Sequence, residues 1–455
     1  MCGKPNPGEK ITKVSCRPKS YPCPTCGQRG HRKRRLNRYV RSLAYGTALW
    51  LHVCYAEYRA RCTCCKTFRS CPPDLCPKAD YDNLVRQAVL NRILDDGLNV
   101  ARTQAAMKRD FLLELSTGFI YDCLQWGLSQ TNQTQQRRLA LAHFSGILCI
   151  DELHLGAFTL LLATDPIADR VIGSCLVRIN DQAHMRCFVR MLQHWGFSPR
   201  VVVTDGSNLY PTVLRQVWPD AKHQLCVFHV LQDITKQVLA AVRRLRRQQA
   251  RRGNAGRKRR RGRPSKKQQR RQQRRGPSNK EKAAFVYKHR FLIVKRLDKL
   301  SKQDWDDLCQ MFQYVPELRT LWHFCGEVYQ LFSDEQVTRL ARRRRTLLLK
   351  KADYQEVPEL AKALGLLRQE KFDQMIAFLE SPGGQRVKTN NHVERTNRKI
   401  RFDEKVRYKW RSQGSLDRFL RLRLDRLVGT TSSGVPPASA DSRPKPAPVK
   451  QSSLV

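Results

Sequence analysis

The sequence predicts an α/β core, split by a large helical insertion and preceded by two small modules. Three observations predict it. Short apolar runs stop at acidic residues: Gly146 to Ile150 runs into Asp151-Glu152, and Val201-Val202-Val203 runs into Thr204-Asp205. Two Cys-x-x-Cys pairs stand early in the chain, at Cys23/Cys26 and Cys62/Cys65. A long helical stretch, Glu281 to Glu380, separates the β-rich part from a final basic segment that carries Glu394.

At 455 residues the chain is long enough for two to four domains. No apolar run approaches the roughly 20 residues that span a membrane. No secretory signal is expected in the polar stretch from Met1 to Ser20. The net charge is +47, and Arg243 to Arg275 supplies +18 of it with no Asp or Glu. The rest is spread widely, which favours a polyphosphate partner, nucleic acid above all. A merely adhesive basic protein is the bland alternative. Of seventeen cysteines, ten precede residue 80, and most others sit in apolar runs such as those of Cys149, Cys175 and Cys226. That split suggests a metal site plus reduced core thiols, not a disulfide scaffold.

Residues 1–20 are expected to be flexible. Residues 21–77 form the first module. Cys23-Pro-Thr-Cys26-Gly27 is a knuckle of two thiolates on a tight turn, and Cys62 and Cys65 repeat its spacing. Two knuckles can close a four-sulfur zinc site, a zinc ribbon. Cys64 could replace one ligand, and Cys71 and Cys76 are spare. Leu49, Leu51, Val53 and Tyr55 alternate as in a strand between the knuckles. A closed site serves structure and DNA contact, with Arg32, Lys33, Arg34 and Arg35 in a basic loop beside it for phosphates.

Residues 78–129 read as helices over Tyr81 to Leu94, Asn99 to Met107 and Gly118 to Leu128, the last opened by Ser116-Thr117. This suits a helix-turn-helix, or equally a plain helical bundle. Gln130 to Arg138 reads as a polar linker. Residues 140–240 predict strands at 146–151, 157–164 and 170–178, a helix at 181–196, a strand ending at Asp205, a helix at 208–217 and a strand at 222–227. This is the order of the RNase-H-like fold, whose first and fourth strands are neighbours. Cys226 and His229 close the last strand; they could bind metal, or pack at the sheet's end.

Residues 241–280 should be a disordered basic linker. Its Arg261-Gly-Arg263-Pro resembles an AT-hook for the minor groove, with a nonspecific tether as the alternative. Residues 281–385 are the helical insertion, with a basic face at Arg342 to Arg345. Residues 386–430 return to the core, and 431–455 should be a disordered tail.

Asp151 and Asp205 end strands at the edge where α/β sheets hold reactive groups. With Glu394 they could bind Mg2+ or Mn2+, hard cations that prefer carboxylate oxygen. Two such ions activate an oxygen nucleophile and stabilise a leaving alkoxide in phosphodiester chemistry. Asp205 before Gly-Ser-Asn could instead form an Asx-turn. Glu152, Asp165, Asp169 and Asp181 are rivals, and strand alternation directs Glu152 to the opposite face.

Taken in order, these pieces resemble the DDE transposases of bacterial insertion sequences, in the group with a zinc ribbon, a helix-turn-helix and a helical insertion before the last acid. They are more distantly similar to the Mutator-like class. The resemblance rests on Cys-Pro-Thr-Cys-Gly at 23–27, Arg61-Cys62-x-x-Cys65-x-x-Phe68, Ile150-Asp151-Glu152, Thr204-Asp205-Gly206, Cys226-x-x-His229 and Asn391-His-Val-Glu394-Arg-Thr-Asn397, followed by Lys405 to Trp410. It implies that Asp151, Asp205 and Glu394 are the catalytic acids and bind Mg2+ (or Mn2+), and that Cys226 and His229 belong to a family signature. It further implies binding to double-stranded DNA at the element's terminal repeats and at the target, metal-dependent cleavage and strand transfer, and a homodimer or higher assembly. The location implied is cytoplasmic, on the nucleoid, with no membrane partner. The run at 243–275 is longer and more basic than the pattern, and Arg-Thr-Asn follows Glu394. The alternatives are a catalytically inactive, transposase-derived DNA-binding protein and an RNase-H-like nuclease.

Overall fold

In the computed structural model, residues 4–61, 64, 67–76, 78–252, 277–381, 384–407, 410 and 412–431 are described. The chain falls into two units. One takes Met1–Arg138, Leu155–Phe158 and Lys399–Val455; the other takes Leu139–His154 and Thr159–Arg398.

The first unit begins with strands β1 (Ile11–Cys16), β2 (Ser20–Pro22), β3 (Arg29–Ser42), β4 (Leu49–Arg59) and β5 (Phe68–Arg69). They form one sheet in the order β1-β4-β3-β2, with β5 on β4. The alternation at Leu49 to Tyr55 is indeed a strand, and β3 and β4 make a long antiparallel hairpin. Two expectations change here. The segment expected to be flexible contains β1, which pairs parallel with β4. It is held by polar contacts that hydropathy does not register: the Trp50 indole N–H donates to Glu9 at 2.7 Å, and Arg17 donates to the carbonyls of Leu36 and Tyr55. Arg32 to Arg35, expected in a loop, lie on exposed positions of β3, where the register shifts between Arg32 and Arg34.

Three helices follow, α1 (Asn83–Leu94), α2 (Val100–Phe111) and α3 (Thr117–Gln130). Each opens on a side-chain cap: Asp82, Asn99 and Ser116 accept from the N–H of Val85, Arg102 and Phe119. The connector expected from Lys108 is shorter, because α2 runs on to Phe111 and stops where Leu112 takes φ 53°. Val85, Val89, Ile93, Met107, Ile120 and Cys123 form their core. The supposed linker at 130–138 is largely helix: α4 spans Gln133–Ala142, whose Gln, Arg, Leu and Ala are good helix formers.

In the second unit, β6 (Ile147–Leu155), β7 (Phe158–Asp165) and β8 (Arg170–Val177) are followed by α5 (Gln182–His194), β9 (Val201–Thr204), α6 (Tyr210–Val217) and β10 (Lys222–Leu225). The five strands lie in the order β10-β9-β6-β7-β8. The first and fourth strands of the series are thus neighbours, as expected. β7 is antiparallel to β8; β6, β9 and β10 run parallel. β9 is buried at every residue, in keeping with its unbroken Val-Val-Val run. β6 continues past the expected end at Asp151 to Leu155.

Helix α7 (Val227–Arg252) leads out of the sheet. Then come α8 (Asn279–Lys288), α9 (Lys302–Tyr314), α10 (Leu318–Leu331), α11 (Thr338–Lys350), α12 (Ala352–Gln355), α13 (Pro358–Gly365) and α14 (Gln369–Met375). The stretch expected to be helical throughout is interrupted at 289–301 by two 3-10 turns. These helices share one core, including Val238, Leu308, Met311, Leu318, Phe324 and Phe372. The basic face expected at Arg342 to Arg345 is partly inward: Arg345 is buried and donates to the Leu367 carbonyl, and Arg342 pairs with Asp373. The insertion is tied to β10 by buried Gln224, which donates to the Met375 carbonyl and accepts from the Phe378 N–H. The chain then forms α15 (Asn391–Arg407) and α16 (Gln413–Thr431). Residues 386–430, read from the sequence as one return segment, cross the two units: Phe419 and Leu422 of α16 belong to the core of α1–α3.

Asp165, one of the rival acids, ends β7 fully buried. It accepts from the Ser145 N–H and hydroxyl and from the N–H groups of Ile167 and Ala168, at 2.7–3.0 Å. Asp165→Ala strands these donors and is expected to cost about 3 kcal/mol. A denaturant melt of the variant checks it, and a midpoint equal to the wild type's would refute the structural role.

Candidate functional site

Strand β6 pairs with β9 as Ile147↔Val201, Leu148↔Val202 and Cys149↔Val203. Two residues further along each strand, this register brings Asp151 level with Asp205. Carboxylate oxygens of Asp151, Glu152 and Asp205 lie within 4.8 Å of one another. The inclusion of Glu152 corrects the expectation from alternation. That rule fixes the direction of Cβ, not the reach of the side chain. The pairing with β9 has ended at Cys149, and the longer glutamate reaches the same spot.

The local electrostatics follow from this crowding. Burial raises Asp151 to about 7, and the neighbouring charges of Glu152 and Asp205 add to the rise. Burial also raises Glu152, against the pull of Tyr210 and Asn180 beside it. Glu152 Oε1 and the Tyr210 hydroxyl are buried without a hydrogen-bond partner. Asp205 also makes the Asx-turn considered above: its Oδ1 accepts from the Ser207 N–H at 2.9 Å, beside Gly206 at φ 95°. The turn and the cluster are therefore compatible roles for one residue. Three half-buried carboxylates, with no Lys or Arg paired to them among the described residues, form a donor set suited to a hard divalent cation.

Glu394 sits in the first turn of α15. Two asparagines fix the start of this helix. Asn390 donates from Nδ2 to the Ile150 carbonyl at 2.9 Å, and Asn397 donates from Nδ2 to Asp151 Oδ2 at 2.8 Å. Asp169, a rival acid, latches the same turn from outside: it accepts from Arg395, and the His392 ring lies 2.7 Å from it. Asp181, another rival, caps α5 through the His184 N–H. Asp165, Asp169 and Asp181 thus have structural partners, and Glu152 joins the cluster.

Glu394 groups most closely with Cys226 and His229, whose ligand atoms and its own lie within 4.8 Å of one another. Cys226 follows β10, and His229 lies in the first turn of α7. His229 Nε2 is 3.8 Å from Glu394 Oε1. The Cys226 sulfur beside the ring, aided by Glu394 and Asp205 and opposed by burial, raises His229 to about 9.

In the other unit, Cys23, Cys26 and Cys64 converge. Cys64 Sγ is 3.6 Å from that of Cys23 and 3.3 Å from that of Cys26. Two thiolates at about 2.3 Å from a tetrahedral zinc are about 3.8 Å apart, so the spacing fits such an ion. The backbone N–H groups of Cys26 and Thr25 aim at Cys23 and lower its thiol to about 6, and Gly27 takes φ 73° to close the turn. The sequence offered Cys64 as an alternative ligand, and among the described residues it is Cys64 that joins Cys23 and Cys26. Cys62 and Cys65 lie outside the described residues, as do Arg261 and Arg263. Of the basic residues of β3, Arg34 and Lys33 lie 3.1 and 3.9 Å from Glu57 with their side chains more than half exposed.

Asn390 and Tyr210 were given no role from sequence, and Asn397 stood only as the end of the motif around Glu394. The spacing of Asn397, three residues after Glu394 and hence on the same helical face, was the available signal. Nothing local marked Asn390 or Tyr210, whose partners are distant in the chain.

Compared with known families, residues 148–412 match the model of a family described as a transposase, of the DDE type and the ISL3 group. No curated protein matches the chain.

Glu152→Gln is expected to weaken Mn2+ binding by about tenfold, read by titration calorimetry. An unchanged affinity would remove Glu152 from the donor set.

Proposed function

The chain belongs to the ISL3 group of DDE transposases, and on that premise we propose that it binds the ends of its element and cuts and joins DNA through Asp151, Asp205 and Glu394. The observation that carries the reading is the meeting of Asp151 and Asp205 at the carboxyl ends of the parallel-paired stretches of β6 and β9. A three-stranded antiparallel start, followed by two parallel strands added beside the first, supports an RNase-H-like core. The three converging sulfurs on the hairpin sheet support a zinc ribbon, and the capped helices α1–α3 support a helix-turn-helix reader of the terminal repeats.

In this reading Asp151, Glu152 and Asp205 hold Mg2+ or Mn2+, with Glu394 close by on α15. When bound, such ions acidify the attacking water or 3′ hydroxyl and neutralise the leaving alkoxide. The chain's own groups supply the positioning. Asn397 restrains one oxygen of Asp151, and the Ser207 N–H restrains one oxygen of Asp205. That leaves the remaining oxygens directed by the fold, not by solvent. Asp169 holds the first turn of α15, which carries Glu394, through Arg395. The net charge of +47 favours the phosphates of element and target DNA, and exposed Arg32 to Arg35 offer contacts. Pairing of two ends calls for a dimer or larger assembly on DNA, and such a protein works at the nucleoid.

The test is a gel assay of purified full-length protein with labelled terminal-repeat DNA and Mg2+. Cleaved and joined products are expected, with Asp205→Asn and Glu394→Gln each reducing them more than about a hundredfold while still retarding the DNA. A wild type that binds but never cuts its own ends would refute the reading, and cleavage without joining would make the protein a nuclease.

A further inference from the structure

Cys226, His229 and Glu394 are drawn together from three separate places: the end of β10, the first turn of α7 and the first turn of α15. Cys and His three residues apart are only half of a metal site, and the fold supplies the third donor from far along the chain. The surroundings fit a ligand set better than they fit ordinary packing. His229 Nδ1 and Glu394 Oε1 are both buried without a hydrogen-bond partner. The 3.8 Å between His229 Nε2 and Glu394 Oε1 is too long for a hydrogen bond. It is within about half an ångström of the separation of two ligands at roughly 2.0–2.1 Å from one tetrahedral ion. Cys226 is fully buried, and its sulfur accepts from the Asn390 N–H at 3.3 Å. Backbone donors of this kind orient and stabilise metal-bound thiolates.

We propose that Cys226, His229 and Glu394 form a three-ligand site for a borderline-soft divalent cation of the Zn2+ class. A thiolate and an imidazole select such ions over Mg2+. Among the described residues no fourth Cys, His, Asp or Glu joins the set, and three protein ligands with water in the fourth place is the arrangement of catalytic zinc centres. The site is distinct in chemistry from the all-carboxylate cluster of Asp151, Glu152 and Asp205. Glu394 is a residue proposed above for catalysis, and an ion held by Cys226 and His229 competes for it. The proposal does not depend on strand transfer, because it concerns which ion these side chains bind.

The experiment counts metal in full-length, untagged protein equilibrated with Zn2+ and freed of excess. Wild type, Cys226→Ser and His229→Gln are compared, with Cys26→Ser marking the contribution of the Cys23 knuckle. His229→Gln is included because His229 is partly exposed, whereas Cys226 lies in the core; circular dichroism verifies that each variant is folded. One zinc ion per chain should be lost from both Cys226→Ser and His229→Gln, while the knuckle's ion remains. With Co2+ in place of Zn2+, Cys226→Ser should lose the thiolate-to-cobalt absorption of this site, whereas Glu394→Gln should keep the band and bind about tenfold more weakly. Equal metal counts in wild type and folded His229→Gln would overturn the proposal, whatever the outcome of the DNA assay.

Discussion

The parallel pairing of β6 with β9 is the constraint on which the rest depends. It is made by buried apolar residues, Ile147, Leu148 and Cys149 against Val201, Val202 and Val203. A slip of one residue would turn every side chain of one strand to the other face. The correct register places two carboxylates side by side in a buried spot, and the rise of Asp151 reflects that burial first and the charges of Glu152 and Asp205 after it. Hydrophobic burial along the strands offsets that cost, and the site keeps a concentration of negative charge that an isolated peptide would disperse. Local instability at the site is thus a product of the stability of the sheet.

Glu394 comes from a distant part of the chain, and its return is organised by backbone bonds. The Val227 N–H donates to the Lys388 carbonyl at 2.9 Å, just where α7 leaves the sheet. Asn390 binds both the Ile150 carbonyl and the Cys226 sulfur. The helical insertion therefore leaves and re-enters through a clamp between residues 226–227 and 388–390. Its own core, with Phe324, Phe372 and Met311 buried, keeps that clamp closed. Packing far from the carboxylates sets the position of Glu394.

Much of this was legible in the sequence. The apolar runs ending in Asp151 and Asp205 are buried strands, and within residues 140–240 the predicted order of strands and helices is the observed one. Polar and long-range contacts account for what was not legible. Glu9 and Arg17 order the N-terminal segment through Trp50, Leu36 and Tyr55, none of which is near in sequence. Glu152 reaches the site because side-chain length matters where a strand loses its neighbour. Glu394, read in a final basic segment, lies in the first turn of a helix, but its nearest company, Cys226 and His229, depends on the clamp just described. Periodicity carries information about faces, and it carries none about which loops meet.

Helices α7 and α8 frame the most basic part of the chain. Gln249, near the end of α7, donates to Asn279, the first residue of α8, at 3.3 Å. The two helix ends therefore meet, although they stand far apart in the sequence. A chain anchored at both ends reaches at most half its contour length, about 40 Å for some two dozen residues. The entropy of closing such a loop grows only with the logarithm of its length. Insertions or deletions between α7 and α8 are therefore expected to cost the rest of the scaffold little, so the number of arginines there can change while the carboxylate cluster stays fixed.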